Sequence, residues 1–588
     1  MDNQNDNPVD PIELSLFKEH TCQYLLKILD NMPKYEKTLV IEKSCISKLN
    51  YITSLDPLIE RKVQKDLVLL EPKDYIFPTP IIIYILPPNI SYLKIVDKHI
   101  LDNKKNKKEF HLIFIPKINF ECSSFIEENK NNNKSYYNIH NLNIDMFSLD
   151  YDLISLEDHE AFHNIYAKER YDCLSALKRI IIKYETCFGK IKYKYSKGPL
   201  AQKLNEVLSN EEKSFDNNNE LETLACFIFD RSVDMITPLC NNFTYEALLD
   251  EHFDINFNSI KVSPKVLEKD LKQDTIKIDL SRNDKFYTMI KNYNFIKIRN
   301  FLPNRLKEHS SILEEGKKKT EDMKKISENL VKVKQVQEER GSLANHINLA
   351  DYISKKQKTP IYKFYLNFEQ SMLIGDYPEK LDDFIDDEIG KKANKYNILR
   401  IICLQSIIHG GIRYRIYEQL KKDFLNVYGY KNIILWNNLE KMEILKTQDS
   451  NYFYSVANND LKLIYEDVDV NNPNDSSYAY GGYCPIFIRL IEKAFTDGWN
   501  AIKETLKKIP GETDFPLDES EMLNDNNEKK FFLAVFIGGI TYGELGAIRY
   551  LNKTHKNKKI IVLTTSMINS KKIFDALSFK ENGNNIYP

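Results

Sequence analysis

His159-Glu160-Ala161-Phe162-His163 matches an H-E-x-x-H pattern. On a helix, histidines at i and i+4 share a face and can both reach one Zn²⁺, while the glutamate between them activates the metal-bound water. A catalytic zinc needs a third protein ligand as well. Glu185, the downstream candidate, sits in Tyr184-Glu185-Thr186-Cys187 without the usual surroundings. Glu157 and Asp158 precede the motif, and a helix start favours such acidic residues with no metal involved. A zinc-dependent hydrolase built on His159, Glu160 and His163 is therefore the lesser alternative.

Phosphate and metal chemistry find less support. No G-x-x-x-x-G-K-[S/T] loop occurs, and Gly316-Lys317-Lys318-Lys319-Thr320 lacks both the earlier glycine and a preceding apolar strand. Gly538, Gly539, Gly543 and Gly546 follow a strand and open a helix, but their spacing is not G-x-G-x-x-G. They fit a tight strand-to-helix turn with close packing of helix on sheet. Asp230 and Asp234 flank Arg231 where an apolar strand ends, a place where parallel sheets present ligands. Two carboxylates there suit Mg²⁺, but with Arg231 between them an internal ion-pair network is the more economical reading. There is no G-x-S-x-G elbow and no papain-type cysteine signature. No constellation carries catalysis, and no cofactor or metal is expected.

The elements that position these residues are legible in the apolar pattern. Runs at Thr38–Ile41, Tyr75–Leu86, His111–Pro116 and Leu142–Phe147 are rich in Ile, Leu, Val and Phe, as parallel strands buried on both faces are. Helical stretches, such as Ile12–Asp30 and Ile90–Lys98, alternate with them. A long helix over Phe162–Glu185 and a buried strand over Leu224–Phe229 follow. Near the end, Phe531–Ile537, Tyr542–Leu551 and Ile560–Leu563 read as strand, helix, strand, as if an interrupted α/β pattern resumed. Between them, from about residue 242 to 480, the period is helical. Met323, Ile326, Leu330 and Val333 form one narrow apolar stripe on a Lys/Glu-rich background, either a surface helix on its neighbour or one that also offers the stripe to a partner helix. Glu127–Asn141 and Ser209–Glu220, rich in Asn, Lys and Glu, read as solvated surface insertions.

Composition limits the class. The 588 residues allow several domains, and 42% hydrophobic with 12% aromatic content is globular rather than disordered. Eighty-three Lys and Arg stand against 85 Asp and Glu, so no net charge drives binding to nucleic acid or anionic lipid. Apolar runs fall short of a membrane span, and Met1–Glu13 lacks the features of a secretory signal. Nine cysteines without a Cys-x-x-Cys pair suit reduced, mostly buried thiols of a cytoplasmic protein.

Phe229-Asp230-Arg231-Ser232-Val233-Asp234-Met235-Ile236-Thr237-Pro238, continuing to Phe243-Thr244-Tyr245-Glu246-Ala247-Leu248-Leu249-Asp250, closely resembles the signature of the SM (Sec-one/Munc-eighteen) family, regulators of SNARE-mediated membrane fusion. Met146–Glu157 (MFSLDYDLISLE) is similar to another family segment. Leu343–Ala350, Leu399–Ser406, Tyr428–Tyr430 with Asn438–Lys441, Gly482–Pro485 and Phe536–Glu544 resemble the family's vacuolar sorting branch. The resemblance runs from about residue 30 to the end. The Asn-rich insertions and Ser570, where relatives often carry Gly, depart from it.

The resemblance implies an α/β plus α fold: an arch of two Rossmann-like parallel-sheet domains and a large helical insertion. Its domains would be 1–150, the discontinuous 151–241 with 481–588, and helical lobes 242–358 and 359–480. It implies a non-catalytic regulator of SNARE assembly. The vacuolar branch acts as a subunit of the class C tethers HOPS and CORVET, cytoplasmic and held at late endosomal, vacuolar or lysosomal membranes through its partners. By position, Met323, Ile326, Leu330, Val333 and Gln337 lie in the SNARE-facing hairpin, and Lys421, Tyr430 and Ile433 where the branch meets a partner tether subunit. Asp230, Arg231, Asp234, Pro238, Gly538, Gly539 and Glu544 are the structural signature.

Overall fold

The computed structural model describes residues 15–103, 108–131, 137–142, 144, 146–209, 223–268, 274–315, 323–448, 453–514 and 530–578. The chain divides into two compact units between Tyr151 and Asp152.

In the first unit, the apolar runs become the central strands of a sheet, buried on both faces. Strands β1 (Lys37–Ile41), β2 (Val68–Leu69), β3 (Ile81–Leu86), β4 (Glu109–Phe114) and β5 (Asn138–Asn141) form one parallel sheet in the order β2-β1-β3-β4-β5. This is a doubly wound order. All six residues of β3, Ile-Ile-Ile-Tyr-Ile-Leu, are buried, as a central strand covered on both faces requires. The helix Ile90–Asp102 is capped by Asn89, whose side chain accepts from the Ser91 N–H at 2.8 Å, and it buries Leu93, Val96 and Ile100 in the core.

Two expectations change here. The strand expected over Tyr75–Leu86 begins only at Ile81, after Pro78 and Pro80, residues that cannot donate to a ladder. Of Leu142–Phe147, residues 143 and 145 lie outside the described residues; β5 ends before it, and β6 (Phe147–Asp150) starts at its last residue. Part of the supposed insertion Glu127–Asn141 is thus ordered as helix, to Asn131, and as β5. Residues 132–136, like 210–222 of the other Asn-rich segment, lie outside the described residues.

The second unit is built on a sheet whose strands come from distant parts of the chain. Strands β7 (Leu153–Ser155), β8 (Ile191–Lys197) and β9 (Thr223–Asp230) precede the helical region, where a small antiparallel hairpin, β10 (Ser259–Val262) and β11 (Ile276–Asp279), also lies. Strands β12 (Thr513–Asp514), β13 (Lys530–Ile537) and β14 (Lys558–Thr564) follow it. Within this unit the order is β12-β8-β9-β13-β14-β7, with β12 alone antiparallel. Leu533 pairs with Cys226 and Val535 with Ile228, so the late strands sit at the centre of the early ones. The helix expected over Phe162–Glu185 is two helices, Ala161–Tyr166 and Asp172–Phe188, parted where Glu169 adopts φ +55°.

The interval from Tyr245 to Leu461 is otherwise mainly helical, including Phe295–Glu315, Met323–Gln357, Pro360–Ile374, Leu381–Gly390, Lys395–Ile408, Tyr414–Tyr428 and Ile433–Lys441. Among the described residues no helix is long and apolar enough to cross a membrane. Cys22, Cys45, Cys122, Cys173, Cys226, Cys240, Cys403 and Cys484 are free thiols, and all but Cys22 are buried. Burial pushes the Cys45 thiol up to about 12, far from a reactive thiolate.

Candidate binding surfaces and the buried signature that positions them

Asp230-Arg231-Ser232-Val233-Asp234 leaves β9 in a short 3-10 turn, and its charged groups turn inward. Arg231 Nη2 donates to Glu544 Oε1 at 2.9 Å with both side chains fully buried, and Arg231 Nη1 donates to the Asp234 carbonyl at 3.2 Å. The guanidinium lies 4.9 Å from the centroid of the Phe487 ring. Burial works against the Arg231 charge, but Glu544 and Asp234 hold its pKa above the usual arginine value. Asp230 accepts from the Tyr166 hydroxyl at 2.7 Å and from the Ser232 and Leu200 amides at 3.0 Å. Asp234 accepts from Thr237, whose turn also holds the buried Pro238. These carboxylates are consumed by internal bonds, which is the arrangement the ion-pair reading requires.

Glu544 opens the helix Tyr542–Thr554 in a reciprocal capping box with Thr541. Gly538 precedes it at φ +89°, and a Cβ there would stand 2.6 Å from the Tyr166 hydroxyl and 2.9 Å from Arg231 Cβ. Gly539, at φ +108°, is packed as closely against Ile568. The glycines let the backbone approach the signature; they shape a turn, as their spacing indicated.

The H-E-x-x-H residues do not form a helical pair. The helix starts at Ala161, after His159, and Glu157 just upstream has φ +47°. His159 Nε2 lies 3.9 Å from Glu157 Oε2, whereas His163 Nδ1 contacts the Ala576 carbonyl at 2.6 Å. Among the described residues no three His, Cys, Asp or Glu side chains are grouped to hold a metal. The segment ties a short helix to the chain's last described helix instead.

Helices Phe295–Glu315 and Met323–Gln357 pair as a hairpin whose connection, 316–322, lies outside the described residues. Glu339 joins them, accepting from Arg305 Nη2 at 2.9 Å and contacting His309 Nε2 at 3.2 Å. The C-terminal half of the longer helix is rooted in the fold: Leu343, His346, Leu349 and Ile353 are buried, and His346 Nδ1 meets the Tyr245 hydroxyl at 2.9 Å. Nearer its start, Val331 is 66% exposed. Of the expected stripe, the side chains of Met323, Ile326 and Leu330 lie outside the described residues; Val333 is half-buried and Gln337 exposed. Val336 is buried instead, about 100° around the helix from Gln337. Val333 and Gln337 therefore lie beside the face that the fold covers.

Tyr430 stands in the turn Tyr430–Asn432 between two helices and is 70% exposed, its hydroxyl donating to Asn426 Oδ1 at 2.9 Å. Ile433, the first residue of the next helix, is half-buried. Lys421 is not a bare charge: its Nζ donates to Glu440 Oε1 at 2.7 Å, and that carboxylate also accepts from the Tyr417 hydroxyl. Helices Tyr414–Tyr428 and Ile433–Lys441 are thus clamped together beneath Tyr430.

Sequence patterns missed three buried networks. Arg549 donates twice to Asp152, at 3.0 and 3.1 Å, and to Glu246 at 2.8 Å. Glu369 accepts from Arg400 at 3.0 Å and from Asn241 at 2.8 Å. Lys197, with no exposed surface, donates to the carbonyls of Leu506, Ile509 and Gly511 and to Thr513 Oγ1. Burial lowers its pKa to about 8. None of these follows a local motif; the only signal is charge inside apolar surroundings.

A family model described as the Sec1 family matches residues 37–576. The chain is 26% identical to vacuolar protein sorting-associated protein 33A of Rattus norvegicus, covering 97% of this chain and 98% of that protein. It is also 26% identical to the vacuolar protein-sorting-associated protein 33 homolog of Arabidopsis thaliana, with the same coverage. Among solved structures, the SM protein Vps45 in complex with the Qa SNARE Tlg2 aligns with TM-score 0.59 at 16% identity, covering 95% of this chain and 97% of that one. The Unc18–syntaxin 1 complex from Monosiga brevicollis aligns with TM-score 0.59 at 13% identity, covering 95% and 98%. At such identities the structural likeness establishes the α/β plus α fold.

Proposed function

The chain belongs to the Sec1 family, and on that premise we propose that it is a non-catalytic, SM-type regulator of SNARE assembly in vesicle docking and membrane fusion. It acts at the endosome, vacuole or lysosome as a subunit of a class C tethering complex of the HOPS or CORVET kind. The observation that carries this is the near end-to-end match to proteins named for vacuolar sorting. The protein is cytoplasmic and reaches the membrane through its partners.

The physical contribution is preorganisation. SNARE segments that order on assembly lose conformational entropy, and a rigid surface that holds them in register reduces that cost without bond chemistry. Met323, Ile326, Leu330, Val333 and Gln337 are the SNARE-facing positions, on a hairpin rooted in the fold at its far end. Lys421, Tyr430 and Ile433 dock the partner tether subunit; an exposed Tyr beside an aliphatic side chain is a hot-spot composition. The reading takes the lobes as 1–150, 151–241 with 481–588, 242–358 and 359–480. Inward-facing signature carboxylates and a dismantled H-E-x-x-H pair support the absence of catalysis.

Affinity capture of the tagged full chain from cells, followed by mass spectrometry, tests the assignment. Class C tether subunits should be recovered in near-equal amounts. Recovery of SNAREs alone would place the protein at another trafficking step and remove Lys421, Tyr430 and Ile433 as a docking face.

A further inference from the structure

Helix Pro360–Ile374 carries an apolar stripe that the fold covers only in part. Ile361, Phe364 and Phe368 are spaced by three and four residues on one face; Ile361 is 39% and Phe364 52% exposed. Phe384 of helix Leu381–Gly390 extends it, with its ring centroid 6.1 Å from that of Phe364 and 4.9 Å from that of Phe368. Phe368 and Phe384 are half-buried, so the two helices share an aromatic cluster whose outer edge, Ile361 and Phe364, is left in water.

The segment that carries Phe384 is acidic. From Asp376 to Gly390 seven carboxylates, Asp376, Glu379, Asp382, Asp383, Asp386, Asp387 and Glu388, stand against the single Lys380. Asp382 is held by Tyr377 and Gln405, and Asp387 lies 4.0 Å from Lys391. Asp383 and Asp386 are exposed and have no cationic partner among the described residues. Asp386, about 200° around the helix from Phe384, neighbours Asp423 of helix Tyr414–Tyr428 rather than the strip. Burial, then the charges of Asp423, Asp382, Asp383 and Asp387, raise the Asp386 carboxyl above its ordinary range. Beside the strip, the unpaired Asp383 and the loosely paired Asp387 leave negative charge that an incoming cation offsets.

We propose that the face formed by Ile361, Phe364, Phe368 and Phe384, with Asp383 and Asp387 at its edge, docks a basic amphipathic helix of another protein. Its apolar side chains lie along the aromatic strip, and its Lys or Arg residues meet the aspartates. The strip matches the i, i+3, i+7 spacing that helix-in-groove recognition reads, and the rim fixes orientation and selects against acidic segments. Neither anionic lipid nor nucleic acid fits, because the same rim repels both.

The test uses the full chain in cells with a photoreactive phenylalanine analogue replacing Phe364 or, separately, Ile361, followed by sequencing of the crosslinked peptides. Support requires both positions to capture the same segment of another protein, rich in Lys or Arg and apolar at intervals of three and four. A synthetic peptide of that segment should then bind the purified chain, and binding should weaken roughly tenfold or more in the D383K/D387K variant. A peptide with its basic residues changed to Glu should recover affinity for that variant. Crosslinks to a second copy of this chain, to lipid, to a segment without basic charge, or to nothing would overturn the proposal, as would peptide binding indifferent to the charge reversal.

Discussion

Arg231 and Glu544 lie 313 positions apart in sequence and 2.9 Å apart in space, each without exposed side-chain surface. The pair fastens the turn leaving β9 to the helix that follows β13, so a strand from before the helical interval is locked to one from after it. Removing one partner strands a buried charge, at a cost of about 3–5 kcal/mol, more than an isolated surface pair could provide. Arg231→Met should therefore lower the urea midpoint of the second unit sharply. Replacing both residues, Arg231→Met with Glu544→Met, should recover much of the loss. The chain's two tryptophans, Trp436 and Trp499, are fully buried in that unit and report its unfolding by fluorescence. A double variant no better than the single one would mean that the pair matters for shape rather than charge.

Lys197 gives a pH signature of known sign. Its pKa falls from 10.5 to about 8 on folding because burial disfavours the ammonium. Between those values the unfolded chain binds more protons than the folded one, so this residue's contribution to stability rises with pH there; below about 8 it is constant. The wild-type midpoint minus that of Lys197→Met should therefore increase from pH ~8 to ~10. At neutral pH the variant should be less stable by about 1–3 kcal/mol, since the carbonyls of Leu506, Ile509 and Gly511 lose their donor. A difference that stays level across this range would remove the titration argument.

Legibility in the sequence followed burial on both faces. The run Thr223–Asp230, Thr-Leu-Ala-Cys-Phe-Ile-Phe-Asp, announces a central strand because nothing in its interior tolerates water. Strand β8, Ile-Lys-Tyr-Lys-Tyr-Ser-Lys, is nearly as long and was invisible. Its lysines alternate with aromatics because it sits next to the edge, and its last lysine is buried by contacts that come from residues 506–513. The H-E-x-x-H pattern, rightly held as the lesser alternative, fails for a backbone reason: spacing implies a shared helical face only if the helix already exists at His159, and it begins two residues later. The signature was legible as an ion-pair network because its charges cluster locally, whereas Arg549, Asp152 and Glu246 are joined only by the fold.

The hairpin assignment predicts a functional change without a stability change. Val333 is half-buried beside the buried Val336, so Val333→Asp places a charge on the side proposed to face the SNARE and leaves Val336 packed. Binding of helical SNARE segments should weaken by about 1–3 kcal/mol, measured by calorimetry. Thermal melting should move little, and equal losses in binding and melting would return the stripe to the core.

The docking assignment rests most directly on Tyr430. Its ring is 70% exposed, and its one hydrogen bond goes to Asn426 in the helix just before it. The clamp beneath it, Lys421 with Glu440 and Trp436 with Tyr417, does not involve the ring. Surface changes of this kind alter stability by about 0.5 kcal/mol or less, whereas loss of a central aromatic anchor costs an interface about 2 kcal/mol or more. Tyr430→Asp should thus leave the tryptophan-detected unfolding midpoint where it is and remove the tether subunits from affinity capture. Ile433→Asp should do the same less completely, because part of that side chain is already committed to the fold. Lys421→Ala would act by a different route, freeing Glu440, and should weaken capture only as far as it loosens the clamp. Retained capture by a stably folded Tyr430→Asp chain would place the docking face elsewhere on the helical lobe.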